Sequence, residues 1–532
     1  MALVYVKNKK NGNTYVYESN NYWDKKKQQS RSSRVCIGKL NEAGDLIPSK
    51  RFKEPQPTFP LKREPVPATQ AKRSFYGATY LFDAVGDKLD ITKDLKSCFP
   101  DTFKQILSVA YYLILEDRNP LSRFPKWERT HKHPYEKNIA SQRSSELFSS
   151  ITEDSKEHFF RLQGKRRTEN EYWAYDTTSI SSYSESLKQV KYGKNKDHDP
   201  LAQINLALLF GETSNLPFYY RKLPGNIPDV KTLKNLLADM AFLGFSNVKL
   251  VMDRGFYSED NVNALYQNQL KFLLATKLSL KFVRRELDQV RDTIRTRSNY
   301  NTMYQLHAHT AIISWDGKEN PLYKGDVIEE SRRMYLHIYY NGEKALEQEN
   351  KFNLLLDKLE EELISGKRKP ENEKQYNKYF DVTTTPVRGT KVIAKQEAID
   401  QAQKDYGFFA LISNEINEPI EALEIYRNKD LIEKGFGNLK ERLNMRRTTV
   451  SSDSALEGKL FVQFIALIYL SYIKKQMSDQ CLYKEYTMQE LLDKLDIIEC
   501  FEQPGNKIRI GEITKKQEEL YQKFGVKPPT TL

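Results

Sequence analysis

Apolar and polar residues alternate between residues 3 and 20, and Asn11-Gly12 interrupts the alternation near its middle. A period of two broken by a tight-turn dipeptide predicts a β-hairpin. Arg34, Val35, Cys36 and Ile37 predict a third strand, so residues 1–54 read as a small three-stranded module. Pro55, Pro57, Pro60, Pro65 and Pro67 make 55–74 a linker, because such proline density opposes helix and central strand alike. The pattern turns helical over 75–168, most clearly in TFKQILSVAYYLILED after Pro100-Asp101, with amphipathic stretches at 146–151 and 158–162.

From Tyr172 the texture changes again. A strand is expected to end near Asp176, and further strands over 204–210 and 215–223, with Gly211 in the turn between. A helix opened by Asp229 as its cap leads to a continuous apolar strand over 248–253. A second capped helix, SEDNVNALYQN, leads to the strand KFLLAT. Strands alternating with helices predict a mixed α/β sheet with helices on its faces. Residues 280–405 break the alternation and read as a β-containing insertion subdomain, so the α/β domain comprises 169–279 plus 406–478. The segment 479–532 should close the chain with a short strand and a helix. LFVQFIALIYLSYI, from Leu460, is shorter than a bilayer span and contains Gln463 and Ser471; it reads as a buried core helix, and no membrane partner is expected.

Charge adds a partner. The net charge is +13, and residues 1–75 hold 16 Lys and Arg against 6 Asp and Glu. A basic head on a nearly balanced body suits a polyanion, above all nucleic acid. Within it Tyr22 and Trp23 adjoin Lys25, Lys26 and Lys27, a mixture that suits DNA backbone and bases. The four cysteines form no CxxC pair, and MALVYVKNKKNG lacks the apolar run of a signal peptide, so a reducing cytoplasm is expected. His131, His133 and His198 read as loop or turn residues.

The chemistry concentrates in three places. Asp176 and Asp253 stand at predicted strand ends, in YDTTS and MDRGFYS. In a helix over 424–443, Tyr426, Lys429, Glu433 and Lys440 recur at steps of three, four and seven. At about 100° per residue these share one stripe roughly 60° wide. An apolar stripe of Ile425, Ile432, Phe436, Leu439 and Leu443 lies beside it. Each feature alone has an ordinary structural explanation. Three converging carboxylates would suit a hard divalent cation.

Together these motifs resemble the DDE transposases of bacterial insertion sequences, in the insertion-sequence-four superfamily. The resemblance covers roughly Tyr172 to Met477. It implies a ribonuclease-H-like catalytic domain in which Asp176, Asp253 and Glu433 hold two Mg²⁺ ions, with Mn²⁺ able to substitute. It implies DNA end cleavage followed by strand transfer, of cut-and-paste type. Tyr426, Lys429, Lys440 and Arg254 would grip DNA phosphates. The partners implied are double-stranded DNA (terminal inverted repeats and target) and a second copy of the chain on that DNA. A bacterial, nucleoid-associated location follows. At position 429 the family pattern has arginine; lysine keeps the charge without the bidentate fork. The 180 residues between Asp253 and Glu433 accommodate the insertion that the family often carries there. The alternatives are a ribonuclease-H-like nuclease without strand transfer and a non-catalytic, host-adopted DNA-binding descendant.

Gly437 falls on the same stripe, where glycine costs about 0.5–1 kcal/mol relative to alanine. Its missing side chain would let a DNA strand approach. Gly437→Leu should therefore impair DNA end cleavage while leaving the melting temperature nearly unchanged. Normal cleavage by this variant would remove the idea.

Overall fold

The structure is a computed structural model describing residues 2–24, 28–41, 44–49, 72–117, 119–166, 171–245, 248–318, 329–385, 389–443, 445–448, 450, 452–502 and 508–530. Lys25, Lys26, Lys27 and the linker prolines lie outside the described residues. The chain divides into two compact units, Met1–Ala71 with Gln503–Gly505, and Lys72–Glu502 with Asn506–Leu532.

The first unit is an antiparallel sheet of four strands rather than three: β1 (Ala2–Lys7), β2 (Thr14–Asp24), β3 (Gln29–Leu40) and β4 (Leu46–Pro48). The β1–β2 turn contains Gly12 at φ 70°, the left-handed region glycine favours. Tyr22 and Trp23, expected in a loop, belong to β2 and are exposed, with Arg31 opposite Tyr22 on β3.

The second unit opens with β5 (Lys72–Phe75) and six helices, α1 (Gly77–Lys88), α2 (Ile91–Cys98), α3 (Phe103–Leu115), α4 (Phe124–Glu128), α5 (Ser141–Ser150) and α6 (Glu153–Lys165). Next come β6 (Tyr172–Ser182), β7 (Gln203–Gly211), β8 (Pro217–Pro224), α7 (Asp229–Leu243), β9 (Lys249–Met252), α8 (Glu259–Gln267) and β10 (Lys271–Thr276). After α9 (Lys281–Val290) run β11 (Tyr300–Asn301), β12 (Leu306–Lys318), β13 (Glu329–Tyr340), α10 (Gly342–Ile364), α11 (Glu373–Tyr379), β14 (Phe380–Thr385), β15 (Gly389–Ala394) and α12 (Gln396–Gln403). The chain returns through β16 (Phe408–Ser413), α13 (Pro419–Asn428), α14 (Asp430–Gly437), β17 (Arg447–Thr448) and α15 (Asp453–Asp479). It ends with α16 (Met488–Asp496), β18 (Glu499–Glu502), β19 (Arg509–Ile510) and α17 (Lys515–Lys523).

One sheet organises this unit, in the order β11-β12-β13-β16-β10-β9-β6-β7-β8, with β17 also pairing β6. β6, β7 and β8 form an antiparallel meander; β9 and β10 run parallel to β6, reached through α7 and α8. β6 and β7 are buried along almost their whole length; β7 accordingly reads as an apolar run, whereas the second half of β6 buries Thr and Ser. Residues 280–405 do not stand apart from this sheet, since β13 pairs with β16 and β16 with β10. A smaller core of Phe352, Leu359, Leu363, Tyr376, Tyr379, Phe380 and Ile399 holds the rest of that stretch.

α15 is long and apolar enough to cross a membrane, and its most apolar window is 89% buried inside the protein. It packs against α3, α5 and β8 and forms the spine of the helical side. His131 and His133, expected in a solvated loop, are buried there. His131 stacks on Trp127 and reaches Asp496 at 2.9 Å, while His133 meets Ser108 Oγ.

Beside α15, Asp83 on α1 accepts a 2.9 Å hydrogen bond from the Tyr111 hydroxyl. Burial pushes its carboxyl up to about 7, although that hydrogen bond opposes the shift. The folded chain thus keeps a proton that the unfolded chain releases at lower pH. Stability contributed here falls as pH rises from the ordinary carboxylate range through about 7. Asp83→Asn should raise the melting temperature by several degrees at pH 8, and by less at pH 5. An equal offset at both values would exclude Asp83 as the titrating group.

Candidate active site

The register of β6 against β9 places the two aspartates. Tyr172 pairs with Lys249 and Tyr175 with Met252, so Asp176 and Asp253 follow at the same level. Asp253 comes just after β9, but Asp176 stands mid-strand rather than at the expected strand end, because β6 goes on pairing with β7 as far as Ser181. Strands lie roughly 4.8 Å apart, and residues at one level share a face. Asp253 also caps the 3₁₀ turn Arg254–Phe256, accepting from the Arg254 amide at 2.8 Å. Asp176 accepts from the Thr177 amide at 2.7 Å.

Two partly buried carboxylates at one level require compensation. Lys429, 4% exposed, supplies it by acting electrostatically on both. Burial wins at Asp176 and raises its pKa, although Lys196 and Lys429 pull it down. At Asp253 burial acts in the same direction, but Lys429, the Tyr426 hydrogen bond and Arg254 outweigh it, and the pKa falls. Tyr426 donates from its hydroxyl to Asp253 Oδ1 at 2.8 Å. Its own pKa is raised by burial and by Asp253, so it stays a phenol donor.

The helix expected over 424–443 is not continuous. α13 ends at Asn428 and α14 begins at Asp430, so Lys429 sits in the break. After Gly437 the turn widens into a π-helix over Asn438–Arg442. One uniform helix could not follow the sheet here. α13 packs on β9, β12 and β13, whereas α14 packs on β6 and β7. The apolar stripe holds: Ile432, Phe436, Leu439 and Leu443 are buried. Gly435 is a packing glycine, because a Cβ there would meet the Phe210 ring at 2.5 Å. At Gly437 no described atom lies within 4 Å of the Cβ position, so packing does not explain it.

Glu433 lies on α14 beyond Lys429, with its side chain exposed. Among the described residues no three Asp, Glu, His or Cys side chains are grouped closely enough to hold a metal ion. Lys440 is ion-paired with Asp197 at 2.7 Å. Arg254 is exposed, and Phe256 is buried against Tyr175. Tyr426 and Lys440 are thus engaged inside the protein, and Lys429 is buried beside the acids.

The structure adds three charged neighbours of the acids that the sequence did not place there. Asp229, expected to cap α7, makes no capping bond; Pro228 occupies that position. Asp229 instead accepts from Thr177 Oγ1 and pairs with Lys196 at 3.2 Å. Lys196, on the β6–β7 loop, donates to the Thr177 carbonyl at 2.6 Å and hydroxyl at 2.7 Å, and lies 3.7 Å from Asp176. Asp197 anchors Lys440 from that loop. The loop is pinned by Asn195, which donates to Ser181 and accepts from the Asp197 amide, and by an Arg447–Asp199 pair at 3.0 Å. The available signal was the charged run KNKDHD at 194–199, close after the first aspartate. His198, at its turn, has φ 57°.

Residues 169–469 match the family described as Transposase DDE domain, which is over half of the chain. The chain belongs to the DDE transposases. No curated protein matches it. Among solved structures it is similar to the piggyBac transposase synaptic complex with hairpin DNA, at 12% identity and TM-score 0.32, covering 79% of this chain and 70% of that chain.

DDE transposases use divalent metal ions. The transposase site fits such an ion in donor type, with paired carboxylate oxygens and no thiol. Its charge fits too: the Lys196 ammonium lies between Asp176 and Asp229, where a cation is already favoured. Asp176 and Asp253 are the residues that would hold the ion. Lys196 then competes with it. Lys196→Met should tighten Mn²⁺ binding at pH 8 by about ten-fold, the scale for removing a charge near 4 Å in a partly screened site. Unchanged affinity by calorimetry would show that Lys196 leaves freely.

Proposed function

We propose that this transposase cuts and joins DNA through a ribonuclease-H-like catalytic domain, as an insertion-sequence enzyme of cut-and-paste type. The strand order β8-β7-β6-β9-β10, with three antiparallel strands and two parallel ones, supports the domain assignment. The observation that carries the chemistry is the pairing of Asp176 and Asp253 at one level of β6 and β9 under a shared lysine. Glu433, on the helix that crosses this site, is the third ligand in this reading.

Two Mg²⁺ ions bound there would activate water, or a freed 3′-hydroxyl, and neutralise the leaving oxygen. Tyr426 holds Asp253 in orientation through its phenol. Lys429 favours the charged form of both acids. Lys196 withdraws from Asp176 and Asp229. Lys440 and Asp197 tie the loop to the π turn and keep Lys196 close to the acids. The basic first unit, with Tyr22, Trp23 and Arg31 on one arm, holds double-stranded DNA, and two copies of the chain pair the two ends.

The test is a cleavage and strand-transfer assay with Mg²⁺ on DNA carrying the flanking element ends. Asp176→Ala, Asp253→Ala and Glu433→Ala should each reduce both steps to background. Wild-type activity in Glu433→Ala would remove that residue from the site. Cleavage without joining by wild-type protein would favour the nuclease reading.

A further inference from the structure

α14 borders a second feature, away from the acids. A cavity of about 300 Å³ lies between α14 with its π turn, the end of β7 and α15. Lys434, Asn438, Ser471, Lys474, Lys475 and Tyr483 contribute to its lining. Lys475 is paired with Asp479 at 2.8 Å. Lys434 and Lys474 form no ion pair or hydrogen bond with the described residues. Lys474 is half-buried, and its pKa is lowered by burial and then by repulsion from Arg442 and Lys434, which Glu441 only partly offsets. Asn438 and Ser471, both buried, line the same cavity, with Phe210 and Gly435 on its apolar side. An enclosure with excess positive charge and short polar side chains suits a tetrahedral anion, and lysine suits phosphate as a point charge.

We propose that this cavity is a phosphodiester subsite, which takes a backbone phosphate of DNA passing from the catalytic stripe over α14. The proposal rests on the reading of this chain as a DNA-cleaving transposase. DNA is favoured over free phosphate because Glu433 and Lys434 are consecutive, so one helix carries both sites. A helix with side chains is about 10–12 Å across, and phosphates along one strand rise about 3.4 Å. The subsite therefore falls within about three nucleotides of the scissile bond.

The experiment measures binding of element-end DNA by fluorescence anisotropy from 50 to 300 mM salt, without divalent metal. The proteins are wild type, Lys434→Ala/Lys474→Ala, and Lys434→Arg/Lys474→Arg. The alanine pair should bind more weakly on every sequence, with a log–log salt slope shallower by about 0.9, the change for one lost phosphate contact. The arginine pair should restore the slope. Unchanged affinity and slope in an alanine variant with a native circular dichroism spectrum would overturn the proposal. So would saturable binding of inorganic phosphate that the alanine variant loses while its DNA affinity stays intact, because the cavity would then serve a free anion. Cleavage is scored separately. If the alanine pair shows the slope change but wild type never cuts, the catalytic reading fails and the subsite stands.

Discussion

Two acids at one level of adjacent parallel strands, both withdrawn from water, set the central electrostatic problem of this protein. Left alone, such acids would hold protons, because burial opposes the charge on each and Asp229 adds repulsion at Asp176. Lys429 answers for both, with Tyr426 adding a hydrogen bond on the Asp253 side and Lys196 an ammonium on the Asp176 side. The rest of the site is arranged around that compensation. Lys429 has to be buried over β6 and β9, so the helix that carries it must cross the sheet at that point.

That crossing explains the irregular helix. α13 follows one part of the sheet and α14 another, and the break between them falls at the buried lysine. Gly435 allows α14 to close on Phe210, and the π turn beyond Gly437 carries Lys440 to Asp197. Interruptions of helical geometry are common at functional sites because they re-aim side chains that regular geometry would turn away. Here the interruptions separate two kinds of positive charge on one element. Lys429 and Lys440 neutralise the protein's own acids, whereas Lys434 and, from α15, Lys474 do not.

The β6–β7 loop belongs to the same balance. Lys196 links Asp176 to Asp229, a carboxylate at the start of α7, through Thr177. Lys196 thereby sets a positive charge between the two carboxylates, where a cation is favoured. Asn195, Asp199 and Arg447 limit how far the loop can travel.

Local pattern alone determined a good deal. Apolar runs located β7, β9 and β10, Ser258 marked the start of α8, and the spacing of Ile432, Phe436, Leu439 and Leu443 identified the buried face of the helix. These features depend on neighbours a few residues away, where backbone period and burial are coupled directly. The two aspartate motifs and the helix motif pointed to the family by their residue types. What only the tertiary structure decided was long-range. Asp229 looked like a helix cap because its partner, Thr177, lies 52 residues away. Lys196 looked like one charge in a polar run. His131 and His133 looked solvated because Trp127, Ser108 and Asp496 come together only in the folded core. The helix was expected to be regular because propensity says nothing about two packing surfaces that face different strands. Charges are placed by what surrounds them in space, and in this chain most of those surroundings come from distant sequence.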